Sequence, residues 1–155
     1  MTEAATALSQ TTSILLSAVL ILTACTSTNN TQLPEADFYV SPGQPFVLRV
    51  GDTAGVAISS AIVLVRFGGV LADSRCPVDA TCIQAGAATL LLSVQTTLTV
   101  QDVQLDVPPD GAAEIAVEEV TIQALEVQPA AQAGVVINSI DYEVLLRVSQ
   151  TAQLF

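Results

Sequence analysis

The sequence lacks the side chains on which most enzymes depend. It contains no histidine, no lysine and no tryptophan, and its only basic residues are four arginines. Histidine is the side chain whose ordinary pKa suits proton transfer near neutral pH, and lysine is the one that forms Schiff bases. Neither a nucleophile-elbow serine motif nor a glycine-rich phosphate loop occurs. These absences predict a protein that is not an enzyme and uses no cofactor.

Aromatic residues are also scarce, which bears on the one enzyme class that needs no histidine. Two carboxylates that meet in space can hydrolyse a glycosidic bond. Clefts that bind sugars usually offer aromatic faces, however, and this chain has only two tyrosines and four phenylalanines. The composition therefore disfavours a glycosidase.

Positively charged residues are also few compared with acidic ones. Fifteen acidic residues against four arginines leave a net charge of -11. Nucleic acid and anionic lipid headgroups repel such a chain, so neither is an expected partner. The acids are scattered rather than clustered, which is typical of a solvated surface that keeps a protein soluble.

Apolar residues, by contrast, make up 51% of the 155 residues, and the first dense run of them lies at 13–24. That run is too short to span a bilayer but has the length of a signal-peptide core. Leu-Thr-Ala-Cys at 22–25 then matches the lipobox, in which small residues precede a cysteine that becomes acylated. The sequence predicts a lipoprotein signal peptide at 1–24 and a lipidated Cys25.

The predicted anchor places the protein in the cell envelope, on the extracytoplasmic side of a membrane, at an outer membrane or the cell surface. Fatty acyl chains such as palmitate give stable attachment when two are present on one protein. One feature is atypical, because the segment before the apolar run contains Glu3 and no basic residue, whereas export signals normally start basic. The alternative is an ordinary cleaved signal that leaves Cys25 free.

A polar stretch follows the predicted lipidation site. It is rich in Ser, Thr and Asn and shows no apolar period, so residues 25–37 predict a flexible tether. The remaining residues, 38–155, are enough for one folded domain.

Within 38–155 the spacing of apolar residues is that of β-strands. Apolar and polar residues alternate at 46–50, 90–95 and 142–148, while 62–67 is apolar on both faces, as a central strand can be. Proline and glycine punctuate the chain at 42–43, 51, 68–69, 108–111 and 134. The pattern predicts an all-β fold, an antiparallel β-sandwich or barrel of about 7–9 strands.

The apolar alternation slips by one residue at two places, 101–102 and 118–119, and acidic residues lie at both. A slip must be absorbed by a bulge or a turn, because otherwise the core face of the strand would turn to water. We interpret both as exposed bulges or turns. The alternative is a calcium site built from the carboxylates.

Three of the four arginines, Arg49, Arg66 and Arg147, lie inside apolar strand-like runs. Because neighbours in a strand point to opposite faces, these side chains are expected to face solvent and to guard strand edges against pairing with other chains. The alternative is a basic strip that binds an anion.

Cys76 and Cys82 are the only cysteines outside the predicted signal and lipobox. Their spacing is too wide for the CxxC motif of thiol-disulfide catalysts, and a pair in an exported chain should be oxidised. We therefore predict a disulfide that staples a loop between two strands, with a stabilisation of about 2 kcal/mol. Two cysteines without histidine fall short of a zinc shell, so no metal site is predicted.

The cysteine stretch carries a resemblance to a known family. Asp-Ser-Arg-Cys-Pro at 73–77, followed by Cys82, Gly86 and Ala88, is similar to a motif of poorly characterised bacterial exported β-domain proteins, many of them lipoproteins. The resemblance spans most of residues 46–148 and implies an exported β domain without an assigned activity. Members commonly have tryptophan where this chain has Gln84, so any binding role of that aromatic is not carried over.

Two functional hypotheses follow from this stretch, and Asp73, Arg75 and Asp79 are its candidate interaction residues. The first is a structural or protein-interaction module of the envelope, with an unidentified envelope protein or ligand as partner. The alternative is a ligand-binding or protease-inhibitor module that presents the Cys76–Cys82 loop. An extended, exposed Arg75 would favour the inhibitor, whereas an Arg75 folded onto a neighbouring aspartate would favour the structural module. We prefer the structural module, because opposite charges lie within reach of each other in one tight loop.

Overall fold

A computed structural model of the chain describes residues 35–59, 61–109 and 111–151. The predicted signal peptide at 1–24, Cys25 and the tether up to residue 34 lie outside the described residues. Within those residues nine β-strands occur and no helix. In chain order they are β1 (Phe38–Val40), β2 (Pro45–Arg49), β3 (Thr53–Ile58), β4 (Ala61–Asp73), β5 (Ala88–Gln95), β6 (Val100–Val107), β7 (Ala113–Val117), β8 (Val120–Gln128) and β9 (Glu143–Gln150).

The strands form two sheets that face each other. The five-stranded sheet has the order β1-β3-β4-β5-β6, and the four-stranded sheet has the order β2-β9-β8-β7. All pairs are antiparallel except β1 with β3. The fold is therefore a β-sandwich, which confirms the all-β prediction and decides between its two forms.

The core lies between the sheets and is made by alternate residues of each strand. Phe67 and Leu92 of the five-stranded sheet and Ile122 and Leu146 of the four-stranded sheet are all 0% exposed. A strand with one buried face needs this period of two, because a slip of one residue would move its whole apolar set into water.

The predicted slip at 118–119 is a turn, whereas the expected bulge at 101–102 is absent. Glu118 and Glu119 connect β7 to β8, and Glu118 has a φ of 52°. The pairing of β5 with β6 runs without a shift. The second prediction was wrong because Leu98 and Val100 are 81% and 68% exposed and never belong to the core face.

Glycines 68 and 69 were predicted to separate strands, yet they lie inside β4. The register of β4 against β5 shifts between Phe67 and Gly69, so the pair marks a bulge rather than a break. Glycine suits such a site because Gly69 has a φ of 128°, which L side chains rarely adopt. Consequently β4 runs for 13 residues and ends at Asp73.

The three strand arginines only partly meet expectation. Arg49 is exposed and lies on β2, an edge strand. Arg66 is exposed but lies on β4, and Arg147 is half-buried on β9. Strands β4 and β9 are interior strands of their sheets. Edge protection therefore applies to Arg49 alone. Because Arg66 lies on the other sheet, the three do not form one basic strip.

Candidate functional site

The connection between β4 and β5, residues 74–87, continues the hairpin beyond the strands. The Ser74 amide donates to the Ala87 carbonyl at 2.9 Å, and the Cys76 amide donates to the Ala85 carbonyl at 3.0 Å. The Ser74 hydroxyl donates to the Ala87 carbonyl and accepts from the Ala87 amide, both at 3.0 Å. The two arms are thus held side by side up to the cysteines.

Gly86 is required by this close approach. Its φ is 67°, and a Cβ added there would lie 1.8 Å from the backbone oxygen of Ser74. No side chain fits that distance, so only glycine lets the two arms meet. The glycine of the sequence motif thus has a steric role in the hairpin.

Cys76 and Cys82 form the predicted disulfide, with their Cα atoms 5.9 Å apart. The ring closes the tip of the hairpin. Val78 and Ile83 beside it are 71% and 104% exposed. The disulfide therefore fixes a loop whose aliphatic side chains point away from the core.

Arg75 precedes the ring and points inward. Its side chain is 7% exposed, and that of Asp73 is 13% exposed. The guanidinium grips the Asp73 carboxylate through Nε to Oδ1 at 2.9 Å and Nη2 to Oδ2 at 2.6 Å. This two-point ion pair fixes the geometry of both groups.

The same guanidinium reaches the opposite sheet. Nη1 donates to the carbonyl of Val127 at 2.6 Å, and Nη2 donates to the carbonyl of Pro129 at 2.9 Å. Val127 is the penultimate residue of β8, and Pro129 follows that strand. Arg75 therefore clamps the end of β4 in one sheet to the end of β8 in the other.

Tyr142, the residue immediately before β9, completes the clamp. Its hydroxyl donates to Asp73 Oδ2 at 3.1 Å. Burial alone would raise the pKa of Asp73, but hydrogen bonds from Arg75, its charge and the Tyr142 hydroxyl outweigh burial and lower that pKa. Burial, followed by the nearby Asp73 charge, raises the pKa of Tyr142. The site therefore holds an ionised Asp73 and a neutral Tyr142 over a wide pH range.

Asp79 has a different role from the one suggested by its charge. It does not pair with Arg75; its Oδ1 accepts the Ala133 amide at 2.8 Å. Beside it the Val78 amide donates to the Ala131 carbonyl at 2.9 Å. These bonds tie the disulfide loop to the connection between β8 and β9, residues 129–142.

The two tied loops expose five aliphatic side chains at one end of the sandwich. We call this set the end platform; its members are Val78, Ile83, Val135, Val136 and Ile140, with exposures from 57% to 104%. Sequence reasoning identified the disulfide loop but missed the second loop, because nothing local to residues 129–142 indicates that it packs beside residues 76–79.

A cleft of about 350 Å³ opens behind the disulfide loop. Arg75, Cys76, Pro108, Val127 and Ala131 are among its lining residues. Because the Arg75 guanidinium already donates to Asp73 and to two carbonyls, it offers the cleft no uncommitted cation. An inhibitor that inserts Arg75 into a protease would likewise have to pull it out of this clamp.

Comparisons with protein-family models, with curated proteins and with solved structures find no match to this chain. Among residues 35–59, 61–109 and 111–151, no three His, Cys, Asp or Glu side chains come close enough together to hold a metal ion. The same residues include no helix with the length and apolarity needed to cross a membrane.

Proposed function

We propose that this is a lipid-anchored envelope protein whose β domain is non-catalytic and binds another envelope protein through the end platform. The observation that carries the proposal is how the platform is built. A disulfide, a buried ion pair and cross-loop hydrogen bonds fix two loops, yet their aliphatic side chains point into solvent. A surface fixed in advance loses little entropy on binding, and aliphatic groups gain free energy by leaving water.

The anchoring part of the proposal is supported by the lipobox at 22–25 and by two cysteines downstream that are already paired with each other. Replacing Cys25 with Ser removes the thiol that would carry the lipid. In cells fed an alkyne-tagged fatty acid, we expect the wild-type protein to be labelled and to fractionate with membranes, and Cys25→Ser to do neither. Equal labelling of both proteins would refute the anchor.

The binding part is tested by removing apolar surface without touching the clamp. Val78→Ser/Ile83→Ser changes two exposed side chains of the end platform. Leu98→Ser is the matched control, because Leu98 is 81% exposed and lies in the connection between β5 and β6, at the other end of the sandwich. All three proteins should unfold at similar temperatures.

Affinity purification from detergent-solubilised membranes then compares the captured proteins. We expect wild type and Leu98→Ser to retain the same partner and the double variant to lose most of it. Equal recovery by all three would refute the platform as the binding surface. Recovery of only a second, tagged copy of the chain would replace the envelope partner with self-association.

A further inference from the structure

The four sheet edges of the sandwich differ in how they are protected. An exposed edge offers unpaired N–H and C=O groups to any extended chain, and proteins blunt it with short strands, proline, charge or bulges. In the described part of the chain, β1 has three residues, β2 begins with Pro45 and carries Arg49, and β7 has five residues. The remaining edge, β6, has eight residues and no proline.

Strand β6 is also regular. Its pairing with β5 runs unshifted from Ala88 opposite Val107 to Gln95 opposite Val100. Within residues 35–59, 61–109 and 111–151, β5 is the only strand paired with β6. In that part of the chain, one side of the eight-residue β6 backbone therefore has no neighbouring strand.

The side chains of β6 decide which strand fits. Asp102, Gln104 and Asp106 are exposed on the outer face of the sheet, and the Asp106 carboxylate accepts the Thr89 hydroxyl at 2.6 Å. Suppose that β6 of a second copy of the chain pairs antiparallel with β6, and that the buried side chains of both strands face the same side of the sheet. Even-numbered residues of one copy would then lie opposite even-numbered residues of the other. In the register centred on Gln104, Asp102 of each copy would then oppose Asp106 of the other, and like charges directly opposite each other destabilise a pair.

The inner side of the same edge is apolar. Val103 of β6 and Ile115 of β7 are only partly buried against the core, at the side where the two sheets end. Inward side chains of an added strand would cover these two residues. The edge thus matches a segment with basic residues on one face and apolar residues on the other.

We propose that β6 binds an extended segment of a partner protein by strand addition, and that the segment alternates basic with apolar residues. Main-chain hydrogen bonds supply affinity in this mode, and alternate side chains supply specificity. The chain itself has a net charge of -11, so a basic partner is also attracted at long range. This site is separate from the end platform and does not depend on it.

The test uses full-length protein and three capped peptides, alternating Val-Arg, alternating Val-Glu, and Val-Arg with a central proline. We expect fluorescence anisotropy to show binding of the first peptide alone. Hydrogen exchange should show new protection of alternate amides in 100–107 when it binds. Asp102→Lys/Asp106→Lys should weaken binding of the Val-Arg peptide by about tenfold or more.

The matched control is Glu35→Lys/Asp141→Lys, which makes the same change in net charge at two exposed residues outside β6. It should bind the Val-Arg peptide nearly as well as wild type. Equal weakening in both double variants, or binding without protection of β6 amides, would show plain charge attraction and overturn the proposal. Absence of binding, or a dimer paired through β6, would overturn it as well.

Discussion

Arg75 connects parts of the structure that lie far apart in the sequence. Its partners are Asp73, two residues away, and the carbonyls of Val127 and Pro129, more than 50 residues later. A buried charge is costly unless it is paired and hydrogen-bonded, and removing one partner leaves the other uncompensated. The geometry therefore makes Arg75 an internal clamp.

Arg75→Ala should destabilise the protein strongly. Loss of one member of a fully buried ion pair costs about 3–5 kcal/mol, because the remaining charge has no partner. Since the Asp73 side chain keeps 13% of its exposure, we expect a loss at the lower end of that range. The control is Arg49→Ala, which removes the pair between Arg49 Nε and Glu143 Oε1 at 2.8 Å, with side chains 72% and 39% exposed. Exposed pairs contribute little. Urea unfolding should separate the two variants, and equal losses would contradict the clamp.

The lowered pKa of Asp73 predicts how stability depends on pH. Because the carboxyl binds protons less readily in the folded protein, its contribution is complete above the unfolded pKa of about 3.9 and is lost as pH falls through the folded value. Stability of wild type should therefore fall more steeply in acid than that of Asp73→Asn. Unfolding curves of both proteins, measured at steps over about 4 pH units from pH 6 to pH 2, test this difference in stability. Parallel losses in the two proteins would contradict it.

The sequence could predict only half of this cluster. Asp73 and Arg75 carry opposite charges within one short stretch, so their pairing was foreseeable. Tyr142 and the carbonyl of Val127 reach the site only because β8 and β9 return to the same end of the sandwich. Nothing in the residues around them signals that long-range contact.

At the scale of elements, the central feature is the hairpin formed by β4, the disulfide loop and β5. Its arms are bonded as far as Cys76 and Ala85, and the disulfide closes the tip. The hairpin holds Arg75 where it meets the other sheet. The integrity of the end platform therefore depends on how closely the two arms can approach.

Gly86→Ala should disrupt this hairpin. A left-handed backbone costs a non-glycine residue about 1–2 kcal/mol, and the clash with the Ser74 backbone adds about 1–3 kcal/mol. Gly43→Ala is the control, because Gly43 has a φ of 77° but no atom within 4 Å of its Cβ position. It should show only the first cost. Thermal unfolding compares them, and equal midpoints would mean that the arms separate easily.

Elements were predictable where one face is buried. The alternation at 46–50, 90–95 and 142–148 corresponds to β2, β5 and β9, because burial of one face imposes a period of two. The pair at 68–69 was misread because glycine marks a bulge as readily as a turn. The slip at 101–102 was misread because exposed apolar residues carry no information about the core face.

For the whole molecule, charge and apolar surface have different distributions. The net charge of -11 is spread over the chain, whereas the two tied loops at one end expose five aliphatic side chains. The charge opposes adhesion to anionic lipid headgroups, so the proposed acyl chains on Cys25 would supply the membrane attachment. The end platform would then remain available for the proposed protein partner.

Site-specific photo-crosslinking tests the proposed platform most directly. A photoreactive amino acid replaces Val78 in one version of the full-length protein and Leu98 in another, and both are irradiated in cells that make the protein. Both positions are exposed, at 71% and 81%, so the two photoreactive side chains are similarly accessible to neighbouring proteins. We predict a discrete crosslinked partner from Val78 and none from Leu98. The same products from both positions, or none from Val78, would contradict the account.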